Sequence, residues 1–206
     1  GMKENTESYV FRAEIEIVKM SNIVREMFTL LRSLLVKDKK NPRENIIRQL
    51  TEKEDYTDQM QEELSAYLIK TSQLSLSEKQ AKNVRLMLGI VEDIENMTDQ
   101  IFELGLFINK SIERQMPINQ EDMDKLFPYM GLVNQFIHFV HEHLNKPLAV
   151  EQLAIAHEME DSIDSMRQNL KRLARKRLEK GANVKAELLY IDMVRNLEKI
   201  GDYAFS

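Results

Sequence analysis

The chain has 206 residues, 43% of them hydrophobic and 31% charged, with a net charge of −5. It has no cysteine, which excludes disulfides, zinc–thiolate sites, iron–sulfur clusters and cysteine nucleophiles. The acidic balance disfavours nucleic-acid binding through the surface as a whole, and no apolar run approaches the ~18 residues of a membrane span.

Only 6 Gly and 4 Pro punctuate the chain, so long helices are expected. The first runs from Ser8 to about Lys37, with Val10, Ile17, Met20, Ile23, Met27, Leu31 and Leu34 at helical spacing. Pro42 breaks it, and a second helix covers Arg43 to Thr71. The string "SLSE" at Ser75–Glu78 has the form of a capping box and opens a third helix that reaches about Arg114. Asn119 is placed to cap a fourth, which reaches about Leu144 and is expected to kink or divide at Pro128. "NKP" at 145–147 ends it. A fifth helix covers Leu148 to Lys180. Gly181 terminates that one, Asn183 caps a sixth, and the sixth runs to the end. With no capping residue after Asp202, its last turn is expected to fray.

The halves repeat. Under a shift of 106, "EKEDYTDQMQEEL" (52–64) falls on "EMEDSIDSMRQNL" (158–170) with 6 of 13 positions identical. Under a shift of 103, "VEDIENMTDQIF" (91–102) falls on "VRNLEKIGDYAF" (194–205), matching at Val, Glu, Asp and Phe. The reading is an all-α fold of two tandem three-helix bundles, 1–116 and 117–206.

What the repeats share is Glu, three residues, Asp: Glu54/Asp58, Glu95/Asp99, Glu160/Asp164 and Glu198/Asp202, on the second, third, fifth and sixth helices. Residues four apart on a helix share a face, and like charges there repel. A hard, oxygen-liganded cation would offset the repulsion; so would lysine or arginine partners or plain solvation. Spacing alone decides little, because 34 acids in 206 residues give about 5 or 6 such pairs by chance. Recurrence at matched places, in line with apolar positions such as Leu50, Val91 and Ile191, strengthens the reading. The pairs of neighbouring helices are expected to converge, four carboxylates to a site.

Other groups compete. His138, His141 and His143 cluster near a helix end, where exposure or ordinary hydrogen bonding explains them. His157, three residues before Glu160, is a candidate additional ligand of the second site. None of the four histidines follows a glutamate by three, unlike ferritin-like di-iron helices. The run 167–181 holds seven Lys/Arg and one Glu. Its Arg167, Lys171, Arg172, Arg175 and Lys176 form either a solvated helix end or a patch for an anion or partner. The abundant methionines read as core filler. No phosphate-binding glycine loop and no nucleophile–base set is visible.

"NLEKIGDYA" closely resembles the "LERIGDHA" signature of PhoU proteins, and the four acid pairs resemble that family's E(D)xxxD motifs. The resemblance spans nearly the whole chain. The copy "DIENMTDQI" departs from the signature at Asn96, Thr98 and Gln100. The resemblance implies a non-catalytic regulator of phosphate uptake, with metal ions, iron clusters or another oxygen-liganded divalent cation, on the eight acids. It implies work with a phosphate transporter membrane domain or transport-system proteins, in the cytoplasm at the inner face of the plasma membrane; a homodimer is one assembly open to it. The segment "TSQLSLSEKQAKNVR" lacks the "QP…DLR" of stand-alone members and looks more like the cytoplasmic domain following the membrane part of Na/phosphate cotransporters, an excised C-terminal domain. The rival readings are a carboxylate-bridged metalloenzyme and a purely structural helical interaction domain.

Overall fold

The computed structural model describes residues 2–36, 40–116, 119–143 and 148–205, without the side chains of 2–6 and 203–205. Seven helices are formed by these residues: α1 (Met2–Val36), α2 (Arg43–Ser72), α3 (Glu78–Glu113), α4 (Gln120–Asp124), α5 (Leu126–Glu142), α6 (Val150–Glu179) and α7 (Val184–Phe205). Helix α1 begins six residues earlier than the apolar spacing suggests, and residues 3–8 contain neither Gly nor Pro to stop it.

The boundaries follow local chemistry. The carbonyl of Pro42 accepts from the amides of Asn45 and Ile46 and starts α2. The capping box of α3 lies two residues later than "SLSE" implies. The Ser77 hydroxyl accepts from the Gln80 amide at 3.2 Å, and the Gln80 side chain accepts from the Ser77 amide at 3.0 Å. "SEKQ" satisfies the same pattern as "SLSE". Asn119 caps α4 through the Glu121 amide, and Asn183 caps α7 through the Ala186 amide. Gly181, at φ 89°, closes α6, with the Ala182 amide bonded to the Arg177 carbonyl at 3.0 Å. The fourth expected helix divides at Lys125, three residues before Pro128. A proline there has no amide to offer the preceding turn and its ring crowds the carbonyl of Asp124, so the helix restarts with Pro128 in the first turn of α5. Past Asp202, where fraying is expected, the helical backbone of α7 continues to Phe205.

Helices α1, α2 and α3 form one bundle and α5, α6 and α7 the other, with α4 leading into α5. The two share a wall: α3 packs on α7 and α1 on α5, whereas α2 and α6 touch only helices of their own bundle. One apolar core runs through both, from Ile17, Met27 and Leu50 to Phe136, Tyr190 and Val194. The methionines expected as filler, Met20, Met27, Met60, Met87 and Met97, are buried in it, and Met166 packs against its edge. Each bundle thus carries one acid pair on an outer helix, α2 or α6, and one on a helix of the shared wall, α3 or α7.

Candidate metal centre and its counterpart

In the first bundle the facing stretches of α2 and α3 bring the acids together. One carboxylate oxygen each from Glu54, Asp58 and Asp99 lies within 4.8 Å of the others, all half-buried. Glu95, one turn before Asp99 on α3, stands near enough for the charges of Asp99 and Asp58 to act on it. Burial first, and then Asp58 and Asp99, push the Glu54 carboxyl up to about 8. Glu95 is raised by burial, by Asp99 and by Asp58. Asp99 is raised by burial and by Asp58, against the lowering effect of its hydrogen bond with Glu54. Apolar neighbours enforce this crowding: Met60 and Leu64 on α2 and Ile94, Met97 and Ile101 on α3 hold the two helices face to face. The buried Oδ1 of Asp58 has no hydrogen-bond partner, a costly state for a carboxylate oxygen. The nearby Lys53 is turned away, bonded to Glu26 on α1 at 2.8 Å. An all-oxygen donor set with an orphaned carboxylate oxygen fits a hard cation.

The second bundle is arranged otherwise. Arg167 on α6 reaches across to α7, where one terminal nitrogen bonds Glu198; the other lies 3.7 Å from Asp164. Lys171, one turn on, places its ammonium 3.3 Å from the second oxygen of Glu198. Glu198 is therefore held between a guanidinium and an ammonium. Asp202 sits above the usual carboxylate range through partial burial and the charges of Glu198 and Asp164, and Arg167 pulls it back down. Glu160 lies 4.0 Å from His157, the candidate extra ligand, whose ring is mostly exposed. Among the described residues no three acid oxygens converge here as they do in the first bundle. This acid set, with two cations already in it, does not fit a metal in the way the first does.

The other candidates resolve plainly. Arg167 and Lys171 of the basic run face Glu198, Arg172 bonds Asn169, and Arg175 and Lys176 lie exposed. Arg177, in the same run, bonds the buried Glu187, approaches Asp122 at 3.4 Å and stacks over Tyr190, tying α6 to α7 and α4. His141 is bonded to Ser21 of α1 at 2.5 Å, and His143 to the Phe139 carbonyl and Gln152. One group escaped the sequence reading. Tyr129 on α5 is fully buried, and its phenol is pushed up by burial and by Glu198, Asp202 and Asp164. In the sequence Tyr129 is only one apolar position beside Leu126, Met130 and Val133; its charged neighbours come from two other helices, α6 and α7.

A family model described as "PhoU domain" matches residues 17–108 and 145–206. No curated protein sequence matches the chain. Among solved structures, the phosphate transport system regulatory protein PhoU from Streptococcus pneumoniae is similar at a TM-score of 0.79 and 14% identity, over 97% of this chain and 91% of that one. PhoU from Pseudomonas aeruginosa is similar at 0.80 and 15%, over 96% and 92%.

Proposed function

Because the chain belongs to the PhoU family, we propose that it is a non-catalytic regulatory module of phosphate uptake, working on proteins of a phosphate transport system, with a cation-binding centre at Glu54, Asp58, Glu95 and Asp99. The convergence of three acid oxygens within 4.8 Å carries the metal part of this reading. A bound divalent or iron cation would supply the positive charge these four acids lack. Glu54 and Asp58 would hold it from the outer helix, Glu95 and Asp99 from the helix shared with the other bundle. The α2–α3 segment "TSQLSLSEKQAKNVR" favours a role beside the membrane domain of a Na/phosphate cotransporter, at the inner face of the plasma membrane. No helix among the described residues is long and apolar enough to cross a membrane.

Elemental analysis and calorimetric titration with Mn²⁺ and anaerobic Fe²⁺ test the centre. The unaltered protein should bind, and the E54Q/D58N protein should lose that binding while keeping its helical circular dichroism. Equal binding by both refutes the assignment. Phosphate uptake by cells carrying E54Q/D58N should escape its normal control, whereas turnover of phosphate esters or O₂ by the loaded protein would favour the metalloenzyme reading instead.

A further inference from the structure

The two acid clusters descend from one repeat yet differ in a way that the alignment locates. Under the 106-residue shift, Gln61 corresponds to Arg167 and Ser65 to Lys171. In the first bundle Gln61 and Ser65 bond only weakly to each other, at 3.5 Å. In the second, the two cations at these positions take up Glu198 and Asp164. Among the described residues the first cluster's carboxylates have no cation paired with them; in the second they share the site with a guanidinium and an ammonium.

We infer that the clusters have divided their roles: the second carries its own built-in cation, Arg167 backed by Lys171, and excludes metal, leaving uptake to the first. The metal half of this statement rests on the reading of the first cluster given above; the exclusion half rests on the ion pairs of the second. Two features support a fixed cation over a passing contact. Arg167 spans two acids on different helices, and its side chain is 20% exposed. The guanidinium is permanently charged and planar, and suits a carboxylate better than it suits water. A divalent ion entering beside it meets two positive charges at contact range, a repulsion that weakens binding by at least roughly tenfold. Arg167 is thus a specificity-determining residue, acting by occupancy.

The experiment exchanges the two positions between bundles and reads Mn²⁺ by calorimetry and elemental analysis. R167Q/K171S should gain Mn²⁺ beyond the unaltered protein, with the added sites lost again on E160Q/D164N. Its melting temperature should fall without metal and recover with Mn²⁺. The reciprocal Q61R/S65K, which adds charge where acids crowd and so should fold well, should lose Mn²⁺ at least roughly tenfold. The inference is overturned if R167Q/K171S stays helical and gains nothing, or if E160Q/D164N alone lowers Mn²⁺ uptake of the unaltered protein as much as E54Q/D58N does. If R167Q/K171S fails to fold, Q61R/S65K decides, and undiminished binding there overturns it. If the unaltered protein takes up no Mn²⁺ at all, the proposed function fails, while gain or no gain in R167Q/K171S still upholds or overturns the built-in cation.

Discussion

The clusters of the two bundles share a motif, a helix geometry and an apolar setting, and they differ in electrostatic solution. Beside Asp58 and Asp99, repulsion is relieved by the proton that Glu54 retains, which is what its carboxyl pushed up to about 8 means. Around Glu198 the relief comes from Arg167 and Lys171. A proton is exchanged for a metal readily, because it leaves to solvent; a tethered guanidinium does not leave. The identity of two side chains therefore decides whether a duplicated acid motif remains open to ligand.

The largest expected effect breaks the contrast at the charged end. R167A leaves Glu198 half-buried with Lys171 and strips Asp164 of its guanidinium. It should lower stability by about 2 kcal/mol, less than for a fully buried pair because the site is partly wet. Q61A at the matching position should stay within about 0.5 kcal/mol. Thermal or urea melts of the two variants measure the difference, and equal losses would mean that Arg167 is merely a surface contact.

A second, smaller effect sharpens the contrast through pH. The folded-state value of Glu54, about 8, exceeds the ordinary 4.5. The fold favours the protonated form, so this contribution is complete below pH 4.5 and is lost as pH rises to 8. Glutamine mimics the neutral acid. Metal-free E54Q should therefore be more stable than the unaltered protein by about 1–2 kcal/mol at pH 8, after allowing for solvent screening, and should show little advantage near pH 5. Melts across this range with a chelator present give the result directly.

Much of this architecture is legible in the residues. Pro42, Asn119, Gly181 and Asn183 mark helix ends because their signals are local, and the acid pairs fall on facing helices because the repeat carries helix order with it. The sequence sets out both fates of such pairs, metal or basic partners. It does not assign them, because the cation nearest Glu198 comes from 31 residues away on another helix. In the sequence Arg167 is one of seven cations in a run, and nothing in the spacing separates it from the exposed Arg175. The contacts of α3 with α7, and of His141 with Ser21, are likewise long-range matters of packing.

The smallest effect concerns the backbone beside each cluster. Thr98 in α3 is buried, its hydroxyl bonded to the Glu95 carbonyl at 2.8 Å; Gly201 takes its place in α7. Among the described residues, a Cβ on Gly201 would meet only Ile163, at 4.0 Å. G201A should accordingly stabilise the metal-free protein by about 0.5–1 kcal/mol, the ordinary helix preference for alanine. A loss in the melt would show that the second cluster needs closer backbone approach than its ion pairs imply.

The wall of α3 against α7 has a consequence for how the chain can be divided. Duplicated units commonly behave as beads, each able to live alone. Here a cut between α3 and α4 would strip each fragment of the neighbour that keeps part of its core dry. The fragments should act as complementation halves, molten when separate and structured when mixed. A split reporter inserted at that junction would then read the joining of the two acid-bearing walls.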